Sequence, residues 1–184
     1  MSSPAVFLDR DGVLNRDPGK EYYVRKWERF EFVPRTAEAL KALAGAGYRL
    51  YVVSNQSGVA RGEVPQAELD RITANMKKTL GDSGAGLDGV FYCPHDDPDR
   101  CACRKPKTGL FLEASRDGAI DLKRSYNIGD SERDIEAGRT LGLVSILVLS
   151  GKSKAEDVKG FRTKPDHVAA DLYEASQWII RKKS

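Results

Sequence analysis

The chain has no apolar run approaching the roughly 20 residues that a membrane-spanning helix requires. It is also short of the cysteines that staple small secreted domains, with three in 184 residues. Cys93, Cys101 and Cys103 are odd in number and confined to one short stretch. That makes a poor disulfide framework and favours a reducing compartment. The first residues lead into a brief apolar stretch and not a leader-like one, so a cytoplasmic location is expected. A large excess of one charge is missing as well. Thirty basic residues face 27 acidic ones, a net charge of +3, with part of the excess gathered at Arg181, Lys182 and Lys183 as an expected solvated end. No dense basic stripe of the kind that follows a nucleic-acid backbone is present. No repeat, low-complexity tract or linker divides the chain, so residues 1–184 read as a single domain large enough to bury a core.

Short β-rich runs alternate with helical patterns along that domain. Ala5 to Leu8, Tyr48 to Val53, Gly89 to Tyr92, Ser125 to Ile128 and Ser145 to Leu149 read as five strands, rich in β-branched and aromatic residues. Leu69, Ile72, Met76 and Leu80 recur at helical spacing, as do Leu40 with Leu43, and Leu172 with Ala175 and Ile179. Gly45 and Gly47 suit a helix C-terminus. Such alternation predicts an α/β fold, a Rossmann-like parallel sheet flanked by helices on both faces. Ligands of such sheets bind beyond the carboxyl ends of the strands.

The polar residues gather at those ends. The first strand runs into Asp9-Arg10-Asp11-Gly12 and the fourth into Gly129-Asp130-Ser131-Glu132-Arg133-Asp134. One strand-end aspartate can simply cap the next helix. Several converging carboxylates call for a hard cation, and an all-oxygen ligand set favours Mg²⁺. The second strand ends in Ser54-Asn55-Gln56-Ser57-Gly58, a plausible phosphate cradle of hydroxyl, amide and turn N–H groups. Lys105 can add a point charge.

Residues 93–103 follow another logic. Cys93, His95, Cys101 and Cys103 form a C-x-H-x5-C-x-C pattern in a stretch with little apolar side chain to bury. Three thiolates and an imidazole suit tetrahedral Zn²⁺, and with all four positions filled by protein the ion would be structural. His167 reads as a surface or strand residue. Gly151-Lys152-Ser153 resembles the tail of a nucleotide P-loop, but Ile146 stands where the first glycine belongs, which argues against a kinase or ATPase.

The stretches LDRDGVLN (8–15), VVSNQSG (52–58), RKP (104–106) and IGDSERD (128–134) together resemble the four motifs of the haloacid dehalogenase (HAD) superfamily of phosphatases. The resemblance implies a Mg²⁺-dependent phosphomonoester hydrolase working through an aspartyl-phosphate. Asp9 is the implied nucleophile and Asp11 the general acid/base. Ser54 and Lys105 would hold the phosphoryl group. Asp9, Asp130 and the Asp11 carbonyl would ligate Mg²⁺, with Asp134 supporting that shell. The spacing between the first two motifs leaves room for a flap and one helix, so no large cap domain is expected. The zinc loop resembles the branch of heptose-bisphosphate 7-phosphatases and histidinol-phosphatases, and the stretch SNQSGVARG (54–62) resembles the heptose enzymes more closely, which implies removal of the 7-phosphate of a heptose 1,7-bisphosphate. The five-residue spacer between His95 and Cys101 keeps the histidinol-phosphatase alternative open. A nucleic-acid 3′-phosphatase and a non-catalytic zinc module are the remaining alternatives. From the same resemblance, Asp17, Lys20, Asn55, Gln56, Ser57, Arg104 and Ser131 are expected to contact substrate. The implied partner is a small sugar phosphate, with no nucleic acid, no membrane and a monomeric state.

Overall fold

The computed structural model describes residues 2–116 and 120–183. Six strands, β1 (Ala5–Leu8), β2 (Arg49–Asn55), β3 (Gly89–Cys93), β4 (Tyr126–Gly129), β5 (Val144–Val148) and β6 (His167–Ala169), form one parallel sheet in the order β3-β2-β1-β4-β5-β6. Five of these are the strands expected from sequence, with ends shifted by a residue or two. The sixth was not expected, because three residues are too few to show a period. Its first residue, His167, stacks on the Trp178 ring with centroids 4.5 Å apart.

Among the described residues five α-helices cover the sheet: α1 (Thr36–Gly45), α2 (Gln66–Asp82), α3 (Gly109–Ala114), α4 (Glu132–Thr140) and α5 (Leu172–Lys183). The period-2 rule of strands divides the core. Val6, Leu8, Leu50 and Val52 face one way, onto Leu40 and Leu43 of α1, Met76 and Leu80 of α2, and Ile179 of α5. Phe7, Tyr51 and Val53 face the other way, onto Phe111 of α3 and Ala137 of α4. Both faces are therefore buried, which explains why these strands read as continuous apolar runs. α2 buries the four residues whose spacing marked it, Leu69, Ile72, Met76 and Leu80. α1 ends where Gly47 takes a φ of 85° and donates to the Ala44 carbonyl, a glycine-type helix stop. Arg181 and Lys182 at the end of α5 are exposed, and the side chain of Lys183 lies outside the described residues. No described helix is long and apolar enough to cross a membrane.

Between β1 and α1 the chain forms no named strand, only two 3₁₀ turns at Gly19–Glu21 and Trp27–Arg29 and isolated bridges pairing Asn15 with Asp11 and with Phe32. This is a flap, as the short spacing predicts.

Candidate active site

Strand order reverses between β1 and β4. In a sheet wound in both directions, that is where a crevice opens beyond the carboxyl ends. Asp9 follows β1 there, and its N–H donates to the Ile128 carbonyl of β4 at 3.0 Å. Lys105 Nζ lies 3.1 Å from Asp9 Oδ1 and 2.5 Å from Asp134 Oδ1, and donates to the Val53 carbonyl at 2.8 Å. Asn55 explains how a residue so distant in sequence arrives here. Its side chain accepts from the Lys105 N–H at 2.9 Å and donates to the Lys105 carbonyl at 3.1 Å. Ser54 lines the same crevice and is buried beside them.

Asp9, Asp130 and Asp134 place carboxylate oxygens within 4.8 Å of one another. Burial raises the Asp9 pKa to about 6 against the pull of Lys105, with Asp134 and Asp11 adding to the rise. Burial, then Asp9 and Asp134, also push Asp130 well above the ordinary carboxylate range. Burial works against the Lys105 charge too, but Asp134 and Asp9 outweigh it and hold the ammonium above its usual range. Acidic groups so crowded and desolvated fit a hard divalent cation, whose Mg–O distances of about 2.0–2.1 Å would draw them slightly together. Asp134 is already engaged on both oxygens: one meets Lys105, the other accepts from Ser131 N–H at 3.1 Å and Ser131 Oγ at 2.5 Å, capping α4. That suits a supporting position behind Asp9 and Asp130.

The stretch with the P-loop look has a different job. Lys152 N–H donates to Asp130 Oδ2 at 2.8 Å, Ser153 N–H to the Asp130 carbonyl at 3.1 Å, and Ser150 Oγ to the Gly12 carbonyl at 2.7 Å. A Cβ on either Gly12 or Gly151 would fall 2.2 Å from Asp130 Oδ2, so both positions need glycine for the loops to close on that carboxylate. Ile146 is simply a buried residue of β5.

Asp11 is held on three sides. Arg10 Nη2 lies 3.0 Å from each of its oxygens, Asn15 Nδ2 donates at 2.9 Å and Gln56 Nε2 at 2.9 Å. Gln56 also donates to Ser54 at 3.1 Å, so it stands behind the two residues that face the crevice.

The crevice is about 470 Å³, within the usual range for small-molecule sites. Of the residues expected to contact substrate, Asp17, Asn55, Ser57, Arg104 and Ser131 line it, whereas Lys20 and Gln56 do not. Gly19, within the expected span from Asp17 to Lys20, lines it too, and sequence reasoning missed six further lining residues: Tyr22, Tyr23, Arg61, Asp97, Arg133 and Lys152. The strand-end rule applied to β5 could have found Lys152, and Arg133 sits inside a motif already singled out.

Cys93, His95, Cys101 and Cys103 converge at the end of β3. Cys93 Sγ is 3.1 Å from Cys103 Sγ and 3.6 Å from Cys101 Sγ, and His95 Nδ1 is 3.3 Å from Cys103 Sγ. A Zn–S bond of about 2.3 Å in a tetrahedron sets S···S edges near 3.8 Å, so the four donors fit that ion after a small expansion.

A family model described as HAD-hydrolase-like matches residues 102–175. The D-glycero-beta-D-manno-heptose-1,7-bisphosphate 7-phosphatase of Vibrio cholerae is 40% identical over 191 aligned positions, covering 100% of both chains. Its counterpart from Haemophilus ducreyi is 42% identical, covering 83% of this chain and 87% of that one. Among solved structures, the D,D-heptose 1,7-bisphosphate phosphatase of B. bronchiseptica, complexed with magnesium and phosphate, superposes with a TM-score of 0.87 at 31% identity. It covers 97% of this chain and 99% of that one.

Proposed function

Because the chain belongs to the HAD-like D-glycero-beta-D-manno-heptose-1,7-bisphosphate 7-phosphatase family, we propose that it hydrolyses the 7-phosphate of that heptose bisphosphate, leaving the 1-phosphate in place. The single observation that carries this reading is the Asp9–Lys105–Asp134 contact at the sheet's switch point, with Asp130 alongside. It joins a carboxylate, a buried cation and a second acidic pair where a phosphoryl group can sit.

In the proposed reaction a carboxylate oxygen of Asp9 attacks phosphorus in line. The P–O bond to C7 breaks, and the departing alkoxide takes a proton from Asp11. Water then gives a proton back to Asp11 and attacks the aspartyl-phosphate, breaking the Asp9–phosphorus bond and releasing inorganic phosphate. Lys105 and Ser54 offset charge on the transferring oxygens. Asp9, Asp130 and the Asp11 carbonyl would hold Mg²⁺, which supplies further charge neutralisation to those oxygens. Cys93, His95, Cys101 and Cys103 would hold a structural Zn²⁺ that orders the wall of the crevice.

The test is kcat/KM for phosphate release from the heptose bisphosphate and from histidinol phosphate. A higher value for histidinol phosphate would overturn the substrate assignment. Asp9→Asn should abolish turnover of both while leaving the fold intact, and near-native activity in that variant would overturn the covalent mechanism.

A further inference from the structure

Two arginines from separate elements share one carboxylate at the mouth of the crevice. Asp97 lies in the zinc loop between His95 and Cys101, on a short turn fixed by Asp96 and Asp99, each of which caps the other's end. Arg104 Nε donates to Asp97 Oδ1 at 2.8 Å. From the first turn of α4, Arg133 Nη1 donates to the same oxygen at 3.1 Å and Nη2 to Asp97 Oδ2 at 3.3 Å. All three side chains line the cavity that holds Asp9 and Lys105.

The strength of these pairs decides what they are for. Asp97 is 56% exposed and Arg133 49%, so their pair contributes little to stability, whereas Arg104 is only 13% exposed. The zinc loop does not need them for its shape, since the turn is capped locally and Arg104 keeps a separate bond to the His95 carbonyl at 3.2 Å. Two planar guanidiniums aimed at one anion nevertheless form a strong receptor for a group richer in charge than a carboxylate. A phosphate monoester carries up to twice the charge and offers three terminal oxygens to the two forks. Ser131, which follows Asp130 in the chain and lines the crevice, has no charge to offer, and its hydroxyl is taken by Asp134.

We propose that Arg133 joins Arg104, already expected to contact substrate, in holding the distal phosphate, and that the Asp97 carboxylate is the resting occupant of this pair, displaced when the bisphosphate binds. This rests on the bisphosphatase reading above. It adds a substrate-binding residue, Arg133, and a built-in competitor, Asp97, that the second phosphate must displace to reach the two arginines.

The experiment compares kcat/KM for the heptose 1,7-bisphosphate and the heptose 7-monophosphate in wild type, Arg133→Ala, Arg133→Lys and Asp97→Asn, with melting temperatures as a folding control. In Arg133→Ala the bisphosphate-to-monophosphate ratio should fall about 10- to 100-fold, the loss expected for hydrogen bonds to a charged group, and the change should lie in KM. Arg133→Lys should recover part of it. Asp97→Asn should lower KM for the bisphosphate, because a competitor is gone. An unchanged ratio in Arg133→Ala, or a raised bisphosphate KM in Asp97→Asn, would overturn the proposal while the bisphosphatase reading stands. Wild-type enzyme that prefers histidinol phosphate would overturn both before any variant is made.

Discussion

Arg10 faces its own sequence neighbour, Asp11, through a fork: Nη2 lies 3.0 Å from both carboxylate oxygens and Nε 3.3 Å from one. The guanidinium is 1% exposed and has the Tyr92 ring 5.5 Å away on its other side. Burying a full charge is costly without a partner, and among the described residues the ion partner of Arg10 is the proposed general acid/base. Arg10 is therefore a positioning residue that fixes the angle of Asp11. Arg10→Met should lower kcat/KM on a sugar phosphate by at most the roughly 10²–10⁴ of losing acid/base help altogether. It should lower kcat/KM on p-nitrophenyl phosphate far less, because that leaving group departs without a proton and the later hydrolysis step does not enter kcat/KM. Arg10→Lys, which keeps the charge but loses the fork, should fall between. Equal losses on both substrates would make Arg10 a purely structural residue.

The carboxylate crowd predicts a pH-dependent response to Mg²⁺. The metal-free folded protein holds Asp9 at about 6, above its ordinary 3.8. Between those values the folded state binds a proton that the unfolded chain has released, so stability falls as pH rises through that window. Mg²⁺ needs the ionised carboxylates and relieves their repulsion. Its stabilisation should thus be small near pH ~5 and larger near pH ~7. Thermal melts with and without Mg²⁺ at the two pH values measure this directly. A Mg²⁺-induced shift that does not change with pH would contradict it.

Much of the architecture was legible because burial on both sheet faces leaves a plain mark. Phe7 and Leu8 point to opposite cores, so the first strand is apolar throughout, and the strand-end rule then led to Asp9 and Asp130. The partners of Lys105 were not legible. Its place depends on Asn55 holding its backbone from a strand 50 residues earlier, a contact that no local pattern encodes. The same holds for Arg133, whose meaning comes from Asp97 reaching across from the zinc loop. Lys152 looked like a remnant of another motif because sequence shows its neighbours along the chain, whereas its N–H is bonded to Asp130.

Zinc removal should separate the two ends of the substrate site. The loop from 94 to 104 has little apolar surface to fold on, and its four metal donors crowd to 3.1–3.7 Å. Without an ion, the Cys93 and Cys103 thiols, which burial keeps protonated, leave only weak thiol hydrogen bonds among the donors, and the loop would open. Arg104 follows Cys103 directly, and Asp97 lies between two of the donors, so both should lose their place. Lys105 is tied independently to Asn55 and to the Val53 carbonyl of β2, so the phosphoryl-transfer end should hold. One Zn²⁺ per chain is therefore expected in freshly purified, reduced protein. Cys101→Ser should raise KM for the heptose bisphosphate about tenfold or more, with a smaller change in kcat on p-nitrophenyl phosphate and a lower melting temperature. Metal analysis that finds no zinc would sink the premise. An equal collapse of both activities in a protein that still melts cooperatively would show that the zinc loop supports Lys105 as well, and that the two ends of the site are not independent.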